Sequence, residues 1–126
     1  MNNITEIGST EGLKVVLSSR EELKDIPGFS KYKIGSLGNV YSYQSGELCK
    51  LQPVNNGTEY YQVGITDDKG KRRRKYIHRL VAEAFVPNPE GLPEVDHIDN
   101  KRWNNEATNL TWIDLQSNRR KRRVFR

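Results

Sequence analysis

The chain has 126 residues, 21 Lys and Arg against 16 Asp and Glu, and a formal net charge of +5 at pH 7. This length suits one compact unit with attached lobes or tails and leaves no room for two full hydrophobic cores. Apolar residues make up 34% of the chain. Even with Gly counted in place of Tyr the share is only ~37%, below the ~45–50% of average globular proteins, so we expect a thin core.

The same figures exclude several classes of protein. No run reaches the ~18 uncharged apolar residues of a membrane span, and residues 1–10 lack the basic-then-apolar order of a secretory signal. We therefore expect no membrane contact and a cytoplasmic location. Because Cys49 is the single cysteine, neither a disulfide framework nor a cysteine zinc site can be built, and any metal must be held by nitrogen or oxygen ligands.

The basic residues are concentrated in two short stretches. KRRRK at Lys71–Lys75 holds five of them and RRKRRVFR at Arg119–Arg126 holds six, which leaves 10 basic and 16 acidic residues, a net charge of −6, over the other 113 residues. Such clusters repel themselves unless a polyanion or solvent neutralises the charge. Two interpretations follow: a contact surface for nucleic acid, or a solvated strand and a frayed tail.

The N-terminal part of the chain shows weak patterning. Over residues 1–20 we expect a flexible segment, with at most one strand at Leu13–Leu17. The spacing of Ser19 and Glu22 fits a capping box and predicts a short helix over Arg20–Asp25.

Short β-like runs follow this segment. Tyr32–Ile34, Val40–Tyr43 and Tyr60–Thr66 are rich in aromatic and β-branched residues and are separated by turns that contain Gly, Asn and Asp, so they predict a small antiparallel sheet. A turn at Asp67–Gly70 would join the last run to a strand over Lys71–Ile77. The basic residues of that strand occupy both of its faces, which indicates an edge strand or a projecting ribbon.

Helical periodicity begins at His78. The sequence HRLVAEAFV, residues His78–Val86, has one apolar face, and the proline that follows ends the helix. Beyond it, Glu94–Asp99 and Leu110–Ile113 predict two strands on either side of a polar loop. Asp114 is placed to cap a helix that runs into the arginine-rich tail.

Asp, His and Asn side chains concentrate in this strand–loop–strand–helix unit. Asp96 and His97 end the first strand, Asn109 begins the return strand and Asn118 lies one turn into the predicted helix, so a folded unit would bring them together. Oxygen ligands for a divalent ion, a histidine that is mostly neutral at pH 7 and an amide to orient it are the groups that phosphodiester hydrolysis requires. Because alternation sends Asp96 and His97 to opposite faces, the strand must twist or end there for both to reach one site.

The order of these segments resembles the HNH motif of ββα-metal (His-Me finger) nucleases, in particular the HNH homing endonucleases of phages and their introns. The segments that carry the resemblance are HRLVAEAF (His78–Phe85), PNP (Pro87–Pro89), VDHID (Val95–Asp99), NLTW (Asn109–Trp112) and Asn118. The region between Ile26 and Ser42 is similar to a nuclease-associated module often found before such domains. The resemblance covers residues 21–120, roughly.

The resemblance implies an α+β fold in which a small N-terminal antiparallel sheet precedes a ββα-metal nuclease unit. We expect a flexible segment over residues 1–20, a β-rich DNA-binding module over 21–77, the nuclease domain over 78–120 and a basic tail over 121–126.

The resemblance also implies roles for the clustered residues. His97 would be the general base that deprotonates the attacking water, and Asp96 and Asn118 would hold one divalent ion, Mg²⁺ or Mn²⁺, against the scissile phosphate. Asn109 would accept a hydrogen bond that fixes the His97 ring. The implied protein is an endonuclease that nicks double-stranded DNA as a monomer in the cytoplasm of a phage-infected bacterium. The alternatives are an HNH-fold protein that binds DNA or associates with phage packaging proteins with little turnover and, on composition alone, an RNA-binding protein.

The remaining expectations concern binding and loop residues. The expected DNA contacts are the basic residues Lys71, Arg72, Arg73, Arg74, Lys75, Lys101, Arg102, Arg119, Arg120, Lys121, Arg122 and Arg123. His78 either caps the helix or lies near the substrate, and the first use is favoured. Trp103 either stacks on a base or sugar or covers the core, whereas Trp112 is expected in the core. Asp99, Asn100, Asn104 and Asn105 are expected to form the loop.

Overall fold

The computed structural model describes residues 4–7, 15–18, 21–44, 46–55, 57 and 60–116. Over these residues the strands and helices in chain order are β1 (Ile4–Ile7), β2 (Val15–Ser18), β3 (Leu23–Ile26), β4 (Phe29–Gly35), β5 (Val40–Gln44), β6 (Glu47–Lys50), β7 (Gln62–Thr66), β8 (Arg72–Tyr76), α1 (Ile77–Phe85), β9 (Glu94–His97), a 3₁₀ turn (Ala107–Asn109) and β10 (Leu110–Ile113). The α+β class is confirmed.

The strands form antiparallel sheets between neighbours in sequence. β3, β4, β5 and β6 make one four-stranded sheet, and β1 pairs with β2, β7 with β8 and β9 with β10. The predicted antiparallel pairing and the strand pair around the polar loop are therefore confirmed. The run Tyr60–Thr66 was predicted in the same sheet as β4 and β5, whereas β7 pairs with β8 in a separate sheet. In the pair β9 and β10, Leu110 lies opposite His97 and Thr111 opposite Asp96.

The helix predicted over Arg20–Asp25 is wrong, because β3 occupies this segment. Ile26 is buried against the core, and Leu23 pairs with Gly35. The backbone N–H of Glu22 donates to the hydroxyl of Ser36 at 2.9 Å, a partner on another part of the chain. Burial and sheet pairing thus override a local capping pattern.

Two further strands lie where no strand was predicted. β1 pairs with β2 inside the segment that was expected to hold at most one strand, at Leu13–Leu17. β6 offers a single buried apolar residue, Leu48, which is too little periodicity to mark a strand.

The main core lies where α1 meets the sheets. Its most buried members, all at most 3% exposed, are Ile34, Val40, Val63, Ile65, Ile77, Val81 and Ala82. Trp112 packs against this core as predicted, and its indole N–H donates to the carbonyl of Val86 at 3.0 Å, which ties β10 to the end of α1. Within the described residues, no helix is long and apolar enough to span a membrane.

The turn between β4 and β5 supports the loop that leads from β9 to β10. The backbone N–H of Ala107 donates to the carbonyl of Ser36 at 2.8 Å. Gly38 has φ +96°, and a Cβ there would lie 3.0 Å from both Cβ and the carbonyl oxygen of Asn105. The N-terminal sheet therefore contacts the loop backbone directly, and glycine permits the close approach.

The helix predicted to begin after Asp114 lies mostly outside the described residues. The same holds for the predicted ligand Asn118 and for the basic residues Arg119, Arg120, Lys121, Arg122 and Arg123.

Candidate active site

His97 is the last residue of β9 and is only 3% exposed. Its Nε2 lies 2.8 Å from Oδ1 of Asn105. An amide oxygen can only accept a hydrogen bond, so this contact places the proton on Nε2 and makes Nδ1 the ring nitrogen that can take up a proton. The ring is thus held in one orientation and one tautomer.

Asp96 precedes His97 and is half-buried. Burial alternates along β9, with Val95 and His97 buried and Glu94 and Asp96 half-buried, so Asp96 and His97 occupy opposite faces until the strand ends. Over the described residues, no three His, Cys, Asp or Glu side chains gather into a metal-binding group. The predicted set is of another kind, because it pairs the carboxylate of Asp96 with the amide of Asn118. A carboxylate and an amide both offer hard oxygen atoms, which suit Mg²⁺ or Mn²⁺.

The predicted acceptor of a hydrogen bond from the His97 ring was Asn109, whereas the oxygen that accepts from Nε2 of His97 is that of Asn105. The amide nitrogen of Asn109 donates to Oδ1 of Asp99 at 3.0 Å and to the carbonyl of Asn104 at 2.8 Å, while its Oδ1 accepts the backbone N–H of Asp99 at 3.1 Å. The register explains the difference: Leu110 pairs with His97, so Asn109 lies one position further along, over the loop. Asn109 fixes the loop, and Asn105 fixes the ring.

The loop after His97 is held together by its own polar side chains. The amide of Asn104 donates to Oδ2 of Asp99 at 2.9 Å, and the backbone N–H of Lys101 donates to its Oδ1 at 2.8 Å. These hydrogen bonds, that from Asn104 foremost, lower the pKa of Asp99 to about 2. Asn100 takes a left-handed conformation with φ 65°, which asparagine tolerates. The expectation that Asp99, Asn100 and Asn104 shape the loop is confirmed.

His78 lies beside His97, with ring centroids 5.2 Å apart. It also packs against Tyr60 at 5.0 Å and Tyr76 at 5.5 Å. It is not the helix cap, because Tyr76 occupies that position and makes no side-chain cap bond. Burial, and secondarily electrostatic interactions with His97 and Arg79, lower the pKa of His78 to about 3. Its Nδ1 is buried and has no hydrogen-bond partner among the residues that the structure describes.

Two residues of this site were not predicted from the sequence. Asn105 was grouped with the loop-forming residues, although it is 7% exposed and contacts the His97 ring. Tyr60 was predicted to lie in a strand, yet it precedes β7. The centre of its ring lies 6.1 Å from the centre of the His97 ring. Sequence spacing carries no indication of either contact, because both partners are brought together by the fold.

The hairpin of β7 and β8, residues 62–76, is called the basic ribbon below. β8 pairs with β7 alone among the described strands, and residues 71–74 are exposed, so of the two predicted arrangements the edge strand is confirmed. The hairpin does not project freely, because Val63 and Ile65 on one of its faces belong to the core. Because cross-strand partners share a face, Arg73 lies on the side of buried Ile65, and Arg74 lies on the opposite side with Gly64.

The basic side chains differ in their contacts. Arg73 donates from Nε to the carboxylate of Asp67 at 3.2 Å, and Lys75 is half-buried with Nζ 5.5 Å from the centre of the Phe29 ring. Nearer the site, the guanidinium of Arg102 lies 4.9 Å from the centre of the Tyr60 ring. The basic ribbon and the loop therefore both present positive charge.

The sequence is similar to those of known HNH endonucleases. Residues 75–120 match the HNH endonuclease family. The chain is 38% identical over 98 residues to DNA endonuclease I-HmuI of Bacillus phage SP01, which covers 77% of this chain and 55% of that protein. It is 34% identical over 108 residues to the H-N-H endonuclease F-TflII of Escherichia phage T5, covering 84% of this chain and 54% of that protein.

The fold is also similar to that of a solved structure. The structure described as DNA binding and cleavage by the HNH homing endonuclease I-HmuI matches with a TM-score of 0.66 and 37% sequence identity, over 82% of this chain and 58% of that chain. The chain thus spans a little over half the length of these two phage relatives.

Proposed function

The chain contains an HNH endonuclease domain, and on this premise we propose that it is a divalent-metal-dependent endonuclease that hydrolyses phosphodiester bonds of DNA. The observation that carries the proposal is the hydrogen bond between His97 and Asn105 at the end of β9, directly beside Asp96. It orients an imidazole whose neighbour in sequence is a carboxylate, in a domain with a relative named a phage DNA endonuclease.

His97 acts as the general base. Its Nδ1 takes the proton from the attacking water, and the oxygen of Asn105 holds the Nε2–H and stabilises the positive charge that the ring acquires. Asn109 acts one step further away, because it fixes the loop that carries Asn105. The ring therefore need not reorient when the proton is transferred.

Asp96 and Asn118 are the proposed ligands of the divalent ion. When bound, the ion stabilises the negative charge that develops on the phosphate and on the leaving oxygen. A two-oxygen protein set suits Mg²⁺, which usually keeps several waters and binds through one or two carboxylates together with phosphate oxygens.

The basic ribbon holds the duplex beside this site. Phosphate contacts position DNA without reading its sequence, and a two-stranded β-ribbon fits the major groove. Arg72 and Arg74 share the face of the ribbon that points away from buried Ile65. We assign phosphate or base contacts to this face, and further phosphate contacts to Lys101, Arg102 and the basic residues 119–123.

A plasmid assay tests the proposal. Supercoiled plasmid is incubated with the protein and Mg²⁺ or Mn²⁺, and wild type is compared with His97→Ala and Asp96→Asn. Loss of the general base should slow conversion by about 10²–10⁴-fold. Asp25→Asn serves as the control, because Asp25 is an exposed acidic residue on β3 that pairs with Lys33. Equal conversion by wild type and His97→Ala would refute the assignment.

The same assay addresses the number of strands that are cut. We propose that the protein acts as a monomer and nicks one strand per binding event. Nicked circles should then accumulate before linear plasmid, and light scattering should give the mass of one chain. Linear plasmid as the first product, or a dimer in solution, would contradict this part of the proposal.

A DNA-binding protein with little turnover is the second candidate, and the exposed charge of the basic ribbon suits it equally well. EDTA separates the two. A binder should hold DNA with or without metal and leave it intact, whereas an endonuclease should lose cleavage when the ion is removed.

A further inference from the structure

The two tryptophans of the chain have opposite surroundings. Trp112 packs on the core and donates its indole N–H to Val86, whereas Trp103 is 63% exposed. Trp103 therefore does not cover the core, which was one of the two uses expected from sequence. Single exposed apolar residues are common on protein surfaces, so exposure alone gives Trp103 no role.

The loop around Trp103 is, however, fixed on both sides of this residue. On one side, Asp99 accepts hydrogen bonds from the amides of Asn104 and Asn109 and from the backbone of Lys101. On the other side, Asn105 is buried and bonded to His97. The indole is thus presented to solvent on a preorganised backbone, which lowers the entropy lost when a ligand binds there.

Trp103 must lie near His97, because it is two residues from Asn105, which is bonded to the His97 ring. Two residues of extended backbone span at most ~7 Å, so the Cα of Trp103 lies within about that distance of the Cα of Asn105. Ile98, directly after His97, is also exposed, at 56%. The ammonium of Lys101 lies 5.6 Å from the centre of the Trp103 ring. Two apolar groups and a positive charge therefore lie within one short segment beside the candidate base.

Apolar faces next to a positive charge match the chemistry of a nucleotide. Its base and sugar offer flat or apolar surfaces, and its phosphate is an anion. We propose that the segment from Ile98 to Trp103 binds the nucleotide next to the phosphate that faces His97, with Trp103 against the base or sugar and Lys101 beside the neighbouring phosphate. This inference rests on the proposed function, because it needs DNA at His97.

Binding by the wild-type protein in EDTA tests the inference, because this parent should bind duplex without cutting it and keeps the bond between His97 and Asn105 that fixes the loop. Anisotropy of a labelled short duplex gives the affinity. Adding Trp103→Ala should weaken binding by about 5- to 150-fold, the range for loss of one aromatic–base stack. Trp103→Phe retains an aromatic face and should stay within about threefold of the parent, since a phenyl ring still stacks. Tyr43→Ala removes an exposed aromatic residue on β5 and should leave affinity unchanged.

An abasic scan of the duplex locates the contact. If Trp103 contacts a base, one abasic position near the nick should weaken binding by the parent and cause no further loss in Trp103→Ala, since the interaction is already absent. If it contacts the sugar, Trp103→Ala should weaken binding equally at every abasic position.

The outcomes separate the two proposals. If wild type nicks plasmid and the parent binds duplex, but Trp103→Ala binds as tightly as the parent, the inference is wrong while the endonuclease assignment stands. If wild type does not nick and the parent does not bind, the proposed function itself fails.

Discussion

The loop between β9 and β10 and the basic ribbon hold their shapes by different means. In the loop, side chains bond to one another and to the backbone, as Asp99, Asn104 and Asn109 do. In the basic ribbon, backbone pairing of β7 with β8 sets the shape, and the arginines are exposed on its surface, where Arg73 donates to Asp67. Substitutions in the loop should therefore alter the geometry around His97, and so the rate. Substitutions of ribbon arginines should alter charge, and so affinity.

The largest effect is expected in the loop. Asn105→Ala removes the acceptor of the His97 ring and leaves a buried N–H unpaired, at a cost of about 1–3 kcal/mol. We expect the single-turnover rate of nicking to fall by about 10- to 100-fold with little change in DNA affinity, because the ring is no longer oriented.

Asn88→Ala is the matched control for this substitution. The side chain of Asn88 is bonded just as fully, to both the N–H and the carbonyl of Leu92, but in the turn after α1. It should cost stability and leave the rate per folded molecule unchanged. A similar rate loss in both variants would show that the hydrogen bond to His97 has no special role.

The second prediction concerns His78, which packs against both Tyr76 at the end of the ribbon and His97. Its pKa is about 3 in the folded protein, against 6.5 for an unperturbed histidine such as that of the unfolded chain. Between these two values the unfolded chain binds a proton that the folded protein does not. Stability is therefore fully present above pH 6.5 and lost as the pH falls, by up to ~1.4 kcal/mol per pH unit.

His78→Phe should abolish this dependence. Urea unfolding at pH 7.5, 6 and 5 should show wild type losing about 2 kcal/mol relative to the variant between the first and last values, because phenylalanine has no group to protonate. At pH 7.5 the variant should be at least as stable, since it removes a buried nitrogen that has no hydrogen-bond partner within the described part of the chain. Parallel pH profiles of the two proteins would contradict the buried, neutral state of His78.

Elements that depend on local sequence could be predicted, whereas contacts between distant parts of the chain could not. The basic ribbon, α1 and the pair β9 and β10 follow from periodicity and turn residues, which act locally. The choice of Asn105 over Asn109 as the partner of His97 depends on strand register and on a turn near Gly38, more than 60 residues away in sequence. β3 was predicted as a helix for a similar reason, since the burial of Ile26 outweighs a local capping pattern.

The third prediction compares one glycine from each region. Gly38 and Gly70 both have positive φ, +96° and +88°, so alanine is strained at either position. A Cβ at position 38 would lie 3.0 Å from Asn105, whereas a Cβ at position 70, in the turn of the ribbon, would meet nothing within 4 Å. Gly38→Ala should lower both stability and, by about tenfold, the nicking rate, because Asn105 must shift and its bond to His97 weakens.

Gly70→Ala should lower stability alone. Rates are to be measured below the melting temperature of both variants, so that only folded protein is compared. Equal nicking rates for the two variants would show that the turn at Gly38 does not position the loop.

The smallest effect is expected in the ribbon. Arg74→Gln should reduce the slope of log affinity against log salt by about 0.9, the value for one phosphate contact, and leave the nicking rate at saturating protein unchanged. Arg73→Gln is the matched control, because Arg73 already donates to Asp67 and lies on the side of buried Ile65. Its charge is partly neutralised within the protein, so its slope should change less. If the two variants give the same slope, Arg74 makes no phosphate contact that Arg73 lacks. If Arg74→Gln slows cleavage of bound DNA, the ribbon affects the rate as well as the affinity.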